Sequence, residues 1–333
     1  MKKVAIVTVY NACNYGSFLQ AYSLNLFLKQ HYKVAFVRMT VDTDKIIGKG
    51  SFPKDYIEYE EKKYCKIKNN QSIFDIVDSV DKSYACAVIG SDTVWNLFDP
   101  AYSNVPYFLG DELGSNRIIS YAASIGPNRL LKFLLMRGSK FVKVRKLDAF
   151  GVRDYKTEIM VRLLGKKPVR VLDPTFLVTL KGKAPDLTLP DKYILVYTYG
   201  FSQESIEAIK SYARANSLPI VATGSLCTWA DINAVVDSFE WLWLIEHADY
   251  VITNTFHGTV FSIIFQKRFA ALTQKAAKIE SLLSEFELRD RMCTGRELET
   301  ILKSQIDFNK VNQIKKVRIK QSQKFLLENI EGK

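Results

Sequence analysis

The segment Asp249–Val260, DYVITNTFHGTV, combines a histidine with the pattern of a strand that turns directly into a helix. Its first half is a short β-branched and aromatic run, typical of a buried parallel strand. The apolar residues after Gly258 fit a helix packed on a sheet, so the turn between them lies where ligands bind in open α/β sheets. The start of such a helix offers free N–H groups and a positive dipole end. His257 in this turn predicts a proton donor beside an anion site, with a purely structural histidine as the alternative.

Polar and aromatic residues also follow a strand in the first half of the chain. The run Ala85–Ile89 predicts a strand, and Asp92, Trp95 and Asn96 come shortly after it. The carboxylate and amide can bind hydroxyl groups while the indole covers the apolar face of a sugar. This set predicts a site for a hydroxyl-rich ligand. The alternative is that Asp92 caps a helix and Trp95 belongs to the core.

Two further strand ends carry side chains that could bind a ligand. Asn14, Tyr15 and Gly16 lie in the loop between the first predicted strand and the first predicted helix. This loop lacks the GxGxxG spacing, so a dinucleotide site has no support, and a plain tight turn is the alternative. Arg153 follows the predicted strand Ala149–Val152. Its guanidinium group suits a bidentate grip on a carboxylate or phosphate.

The composition is that of an ordinary globular protein. A chain of 333 residues with 47% hydrophobic and 25% charged residues is long enough for two domains. Its five cysteines are scattered and form no CxxC pair, which favours reduced thiols in the cytoplasm over disulfides or a zinc site. The first residues show no signal-peptide pattern, and no apolar run reaches 18 residues. We therefore expect a cytoplasmic protein without a membrane-spanning segment.

The formal net charge of +12 indicates an anionic partner, which could be a phosphorylated substrate, a membrane surface or nucleic acid. Neither zinc-finger spacing nor an RNA-binding aromatic signature accompanies the charge, so we expect no nucleic-acid partner. Seven basic residues between Arg129 and Lys146 interleave with leucine and phenylalanine, without one acidic residue among them. This segment predicts docking on an anionic membrane surface, with a solvated helix face as the alternative. A second basic run, Asn309–Ile330, predicts a terminal helix.

Strand-like and helix-like segments alternate through both halves of the chain. The pattern predicts an α/β protein with two doubly wound, Rossmann-like domains that face each other across a cleft. The stretch Lys181–Pro190 contains glycine and proline and marks the boundary. We therefore place the domains at residues 1–180 and 181–305, followed by a basic helix in residues 306–333. Val41–Gln71 shows no clear period and is predicted to be a long functional loop or irregular structure.

Six blocks of the sequence resemble those of the polysaccharide pyruvyl transferases. They are Asn14–Gly16 with Leu19–Tyr22, Ile89–Asp92 with Val94–Asn96, Ser120–Gly126, Val152–Asp154, Leu172–Thr175 and Ala248–Val251 through Phe256–Ser262. A single block is weak evidence, but six in family order, between about residues 4 and 291, make a specific signal. The resemblance implies a GT-B-like arrangement of two Rossmann domains, in agreement with the alternating pattern.

The chain departs from the family pattern at three positions. Thr93 stands where the family often has Gln, and Thr255 where it often has Ser. Lys278 replaces an expected arginine before a short apolar segment. Lysine keeps the positive charge but loses the bidentate fork of arginine.

The resemblance implies transfer of pyruvyl from phosphoenolpyruvate to a sugar of a lipid-linked glycan precursor, forming a cyclic ketal and releasing phosphate. Such a reaction requires a general acid, fixed positive charge and N–H donors. His257 is then the general acid and Asp92 a general base. The predicted donor-binding residues are Arg153, Lys278, Thr255, Gly258 and Thr259. The predicted acceptor-binding residues are Asn14, Tyr15, Gly16, Trp95 and Asn96.

The expected partners are phosphoenolpyruvate, the hydroxyl groups of the acceptor sugar and an anionic membrane surface on the cytoplasmic side. None of the steps requires a metal or a cofactor, and the sequence contains no cluster with metal-ligand spacing. Two alternatives stay open. A glycosyltransferase on the same fold would need a grip on a sugar nucleotide, and no such residues can be identified. A non-catalytic surface-binding protein would not need the combination of His257 and Arg153.

Overall fold

The computed structural model describes residues 1–39, 53–274 and 276–332, and in these ranges helices flank two parallel sheets. The strands of the first sheet are β1 (Lys3–Val7), β2 (Lys33–Val37), β3 (Ile76–Val77), β4 (Tyr84–Ile89), β5 (Ile118–Ala123), β6 (Ala149–Val152) and β7 (Pro168–Arg170). Their spatial order is β3-β2-β1-β4-β5-β6-β7.

The second sheet repeats this winding. Its strands are β8 (Ile194–Tyr197), β9 (Ile220–Thr223), β10 (Ile232–Asn233), β11 (Tyr250–Thr253), β12 (Arg268–Leu272) and β13 (Met292–Cys293). Their spatial order is β10-β9-β8-β11-β12-β13. The prediction of two doubly wound α/β domains in a GT-B-like arrangement is therefore confirmed.

Most helices lie between successive strands, and the last two follow β13. They are α1 (Tyr15–Lys29), α2 (Lys54–Asn70), α3 (Pro100–Ser103), α4 (Leu130–Phe141), α5 (Tyr155–Leu163), α6 (Gln203–Ala215), α7 (Ser238–His247), α8 (Phe256–Ile264), α9 (Ala277–Glu285), α10 (Leu298–Lys303) and α11 (Phe308–Glu331). Short 3₁₀ turns fill several of the remaining connections.

Each sheet has a point at which the winding direction reverses. In the first sheet this point lies between β1 and β4, whose last residues, Val7 and Ile89, are register partners. In the second it lies between β8 and β11, where Tyr197 pairs with Thr253. Ligands of doubly wound sheets bind beyond the carboxyl ends of the strands at this position. The loops after these four strands are therefore the first place to look for a site.

Aromatic side chains join the first sheet to one part of the second in a continuous core, while the rest of the second sheet packs in a separate apolar cluster. Tyr15 from the first helix stacks on Trp241 of α7, with ring centroids 5.3 Å apart, and the Trp241 ring also packs on Tyr197. Phe18 meets Phe239 edge to face. These rings are large and mostly shielded from water, so they add substantially to the apolar area buried where the sheets meet.

The second part of Val41–Gln71 differs from its prediction. Residues 41–52 lie outside the described residues, whereas Lys54–Asn70 is helical, so the expectation of irregular structure is wrong there. The buried positions of α2 are Tyr59, Lys63 and Ile67, spaced four residues apart. The middle one is a lysine whose Nζ donates to Gly224 O at 2.5 Å, in the other domain. The sequence did not show the apolar repeat of a helix here because one of the three buried positions is a lysine.

The end of the chain returns to the first sheet. The predicted linker Lys181–Pro190 lies between β7 and β8, and α11 then packs against β4, β5 and β6. Phe325 lies so close to Gly151 that a Cβ there would be 2.6 Å from its ring. Several basic residues of α11 form ion pairs, among them Arg318 with Glu285 and Lys310 with Glu287.

Candidate active site

The residues at the two reversal points come from strand ends that become helix caps. Asn14 caps α1 by accepting a hydrogen bond from Ser17 N at 3.0 Å, and Thr255 caps α8 by accepting one from Gly258 N at 3.0 Å. Short polar side chains are preferred at such positions because they satisfy the free N–H groups of a helix start. The cap of α8 also turns His257 toward the first domain, where it meets Gly16.

Arg153 lies at the centre of a buried ion network. Its Nη2 is 3.3 Å from Oδ1 of Asp92, and its Nη1 is 3.1 Å from Oδ2 of Asp173. The Arg153 side chain is only 2% exposed. Both ends of the guanidinium fork are therefore occupied, and Nε has no hydrogen-bond partner among the described residues. In this structure the Arg153 fork is therefore not free for a donor carboxylate or phosphate, and its donor-binding role stays a prediction.

His257 joins the same network from the second domain. Its Nε2 lies 3.7 Å from Oδ2 of Asp173, which is within ion-pair range but too far for a hydrogen bond. This nitrogen is buried and has no hydrogen-bond partner in the described part of the chain. On the other side of the ring, a Cβ added to Gly16 would lie 2.0 Å from Nδ1. The imidazole is thus held between the domains, with its Nε2 proton site unused.

The two carboxylates of the network are held in the ionised form. Burial alone would raise the pKa of Asp92, but Arg153, His257 and Lys278 hold that pKa below its usual value. Burial would also raise the pKa of Asp173, yet His257 and Arg153 hold it well below its usual range. A general base works best with a pKa near the operating pH. These contacts argue against the predicted role of Asp92 as the general base.

Lys278 adds a second positive charge beside Arg153, whose two carboxylate partners carry one negative charge more than the guanidinium neutralises. Its amine lies 5.8 Å from the centroid of the Phe256 ring, and the Arg153 guanidinium covers the same ring at 4.2 Å. Burial, and then the nearby Arg153, lower the pKa of the Lys278 amine. Within the described ranges Lys278 forms no ion pair, whereas two carboxylates contact Arg153 directly. Lys278 is therefore the cation best placed to meet an added anion.

The other three predicted donor-binding residues build the start of α8. The Thr255 hydroxyl is used by Gly258 N and by Thr253 Oγ1 at 2.9 Å, while Thr259 Oγ1 donates to Thr255 O at 2.9 Å. A Cβ on Gly258 would lie 2.3 Å from Thr253 Oγ1. These groups fix the shape of the turn. Thr255 binds the backbone N–H groups of Gly258 and Thr259, but it does not bind those of Phe256 and His257.

Two of the predicted acceptor-binding residues are core residues. Trp95 is fully buried, donates from Nε1 to Phe108 O at 2.7 Å and meets Phe141 edge to face. Tyr15 is buried between the domains, and its hydroxyl lies 3.2 Å from Thr223 Oγ1. Neither ring has an exposed face for a sugar. Their predicted role in acceptor binding is therefore corrected to a packing role.

The remaining predicted acceptor-binding residues lie near the cleft. Asn14 donates from Nδ2 to the hydroxyl of Tyr199 at 2.9 Å, a contact that joins the two reversal points. Asn96 is partly exposed and accepts a hydrogen bond from Asn128 Nδ2 at 2.7 Å. Gly16 contacts His257 and belongs to the site through that contact.

A polar cavity of about 290 Å³ opens at the carboxyl ends of β8, β11 and β12. Asn254 lies in its wall, three residues before His257. The other lining residues are Gly200, Phe201, Ser202, Glu204, Ser205, Leu272, Thr273, Gln274, Cys293, Thr294 and Gly295. Hydroxyl and amide groups beside one aromatic ring suit a ligand with many hydroxyl groups.

The sequence interpretation missed two residues that contact the network. Asp173 approaches both Arg153 and His257, and Ser17 Oγ donates to Asp92 Oδ2 at 2.9 Å. Asp173 stands three residues after the end of β7, in a block that resembles the family. Asp92 and Arg153 were selected from the sequence because they follow predicted strands. The same criterion could have identified Asp173 as a site residue.

Gly16 provides a test of how tightly His257 is held. The change Gly16→Ala should lower turnover about 10²-fold while preserving the fold, because displacing a reacting group by about 1 Å can cost that much. Steady-state kinetics beside far-UV circular dichroism would measure both. The control is Gly138→Ala, since a Cβ there would meet nothing within 4 Å. Full activity of the Gly16 variant would mean that catalysis does not depend on this ring position.

Solved structures of low sequence identity share the fold. A putative UDP-N-acetylglucosamine 2-epimerase from Listeria monocytogenes has a TM-score of 0.59 at 10% identity, covering 100% of this chain and 98% of its own. The UDP-GlcNAc 2-epimerase from Neisseria meningitidis, bound to UDP-GlcNAc, has a TM-score of 0.53 at 9% identity and full coverage of both chains. At this identity the likeness concerns the fold alone.

Sequence comparison identifies the family. No curated protein matches the chain. The family model described as Polysaccharide pyruvyl transferase matches residues 14–275, a range that includes Asp92, Arg153, Asp173 and His257. Because the match covers well over half of the sequence, the chain belongs to the polysaccharide pyruvyl transferase family.

Proposed function

We propose that the protein transfers the pyruvyl group of phosphoenolpyruvate to two hydroxyl groups of a sugar in a lipid-linked glycan precursor. The product is a cyclic pyruvate ketal, and phosphate is released. The observation that carries the proposal is His257, whose Nε2 is buried, lies 3.7 Å from the Asp173 carboxylate and has no hydrogen-bond partner among the described residues. Histidine is suited to proton transfer near neutral pH, since its unperturbed pKa is about 6.5.

The proposed chemistry begins with a proton transfer to carbon. His257 donates its Nε2 proton to the methylene carbon of phosphoenolpyruvate, and the adjacent carbon becomes electrophilic. The first sugar hydroxyl attacks that carbon, and the neutral imidazole accepts its proton. The bond to phosphate then breaks and the second hydroxyl closes the ring. The proton of the first hydroxyl thus restores the proton that His257 gave to the methylene carbon. The proton of the second hydroxyl leaves with phosphate.

Two kinds of group near His257 can meet the negative charges of the donor. Asp92 and Asp173 already occupy the Arg153 guanidinium, so we assign the donor to the Lys278 amine, which pairs with no carboxylate among the described residues, and to the N–H groups of Phe256 and His257. For the acceptor sugar, we propose the polar cavity beside Asn254. This replaces the sugar-binding role expected of Trp95.

The direct test is to incubate the purified protein with phosphoenolpyruvate and candidate lipid-linked glycans. We expect release of inorganic phosphate and an acceptor mass increase equal to a pyruvate ketal. Consumption of a sugar nucleotide, with no use of phosphoenolpyruvate, would instead support the glycosyltransferase alternative. If neither donor is consumed with any acceptor of the panel, the proposal loses its support.

Lys278 is expected to determine affinity for the donor. The change Lys278→Met should weaken phosphoenolpyruvate binding by about 1.5–3 kcal/mol, the usual size of a hydrogen bond to a charged group. Lys278→Arg should retain most of the affinity because the charge remains. Isothermal titration calorimetry would measure both, with the exposed Lys192→Met as the control. An unchanged Kd for Lys278→Met would remove this lysine from the donor site.

A further inference from the structure

Helix α4 and the residue that follows it expose large apolar side chains to solvent. Leu131 is 68% exposed, Leu135 is 79% exposed, and Leu134, Met136 and Val142 are also exposed. We call these five residues the α4 face. Single exposed apolar residues are ordinary on protein surfaces, but a contiguous group of this kind marks an interaction site.

The α4 face is a consequence of how the helix packs. Phe133 and Phe141 are fully buried and anchor the helix to the first domain. Leu131, Leu135, Gly138 and Val142 follow one another at steps of four, three and four residues and therefore form a single stripe. The two phenylalanines hold the helix on the domain from another side, so the exposed stripe adds little to the core. We therefore look for a binding partner that would cover its apolar side chains.

Basic residues surround the α4 face. Arg129 and Lys132 are exposed at its start, and Arg145 is exposed just after its end. Lys143 and Lys146 both pair with Asp111, so an acidic residue from outside the segment offsets part of its charge. Arg129 and Arg145 form no ion pair among the described residues. The surroundings of the α4 face therefore keep a net positive charge.

The α4 face begins at the edge of the sheet that carries the active site. Asn128, two residues before the helix, donates to Asn96 in the loop that follows Asp92. Lys156 of α5 donates to Asn128 O at 3.2 Å, and the neighbouring Tyr155 is 60% exposed. Tyrosine is frequent where a protein meets the headgroup region of a bilayer.

We propose that the α4 face inserts into the interfacial zone of an anionic membrane. Exposed leucines enter the boundary between headgroups and acyl chains, while the flanking arginines and lysines meet anionic headgroups. No helix in the described ranges is long and apolar enough to cross a membrane. A second copy of the chain is a poorer occupant, because two copies of this face would oppose like charges.

The inference does not depend on pyruvyl transfer, because its test measures binding alone. The full-length protein is co-sedimented with vesicles of phosphatidylcholine, with and without phosphatidylglycerol, from 0.1 M to 1 M salt. We expect binding to the anionic vesicles that falls steeply with salt, since the Debye length shrinks from about 10 Å to about 3 Å. The double change Leu131→Ser and Leu135→Ser should lower the partition coefficient at least tenfold. Arg129→Gln with Arg145→Gln should lower it several-fold on anionic vesicles only.

The matched control is Leu187→Ser with Val317→Ser, which removes two exposed apolar side chains elsewhere on the surface. This pair should leave vesicle binding unchanged. The proposal would be overturned if the protein bound neutral and anionic vesicles equally, or bound neither. It would also be overturned if the control variant lost as much vesicle binding as the Leu131/Leu135 variant. A concentration-dependent dimer that disappears in the Leu131/Leu135 variant, without vesicle binding, would overturn it in favour of self-association.

Discussion

Replacing His257 with glutamine is expected to lower turnover by about 10²–10⁴-fold, the usual contribution of a positioned general acid. Glutamine fills much of the space of the imidazole and keeps a polar end, but it cannot deliver a proton. The fold should survive because the ring is packed between Gly16 and the ion network and is not part of the apolar core. Phosphate release from phosphoenolpyruvate, measured under saturating acceptor, is the direct measurement.

Another histidine in the chain offers a matched control for this experiment. His247 is exposed at the end of α7, where its Nδ1 lies 2.9 Å from Trp243 O. The change His247→Gln should therefore leave turnover unchanged. If the His257 variant kept nearly full turnover while Gly16→Ala did not, the imidazole would be a packing element and the acid would have to be sought elsewhere.

Replacing Arg153 with methionine is expected to destabilise the protein by about 3–5 kcal/mol, because removal of one member of a buried ion network leaves its partners uncompensated. Two carboxylates depend on this guanidinium. The Asp173 side chain is fully buried and the Asp92 side chain nearly so. Urea denaturation followed by tryptophan fluorescence would measure the loss. Methionine is preferred over alanine because it retains most of the volume of the side chain.

The appropriate control is an arginine in an exposed ion pair. Arg296 pairs with Glu204 at 3.2 Å, and both side chains are mostly exposed. Arg296→Met should therefore cost about 0–1 kcal/mol. A small loss of stability in Arg153→Met, together with a large rise in the Kd of phosphoenolpyruvate, would mean that Arg153 leaves the network to bind the donor. That outcome would restore the role predicted from the sequence.

The sequence was sufficient to predict the architecture because its signals are local. Buried parallel strands have continuous apolar runs, as in Val4–Val7, and the polar residues that end them are visible directly. The topology rule for doubly wound sheets then places these strand ends at one edge. His257, Asp92 and Arg153 could be gathered in this way without coordinates, and the structure brings all three into one network.

The tertiary structure alone decided which atoms meet. Arg153 binds Asp92, 61 residues away, and Asp173, 20 residues away, and these contacts depend on the order of strands in the sheet. Local patterns carry no information about that order, so the sequence assigned Arg153 to a ligand and overlooked Asp173. Trp95 shows the same limit, because an indole after a strand can point to solvent or into the core.

The sequence by itself therefore determined the fold class, the strand ends that carry chemistry and the cationic character of residues 129–146. Only the tertiary structure decided that His257 and Gly16 meet across two domains and that the leucines of α4 face solvent. The physical reason is the range of the interactions. Hydrophobic periodicity acts over a few residues, whereas ion pairs and packing across the cleft join segments that only the folded chain brings together.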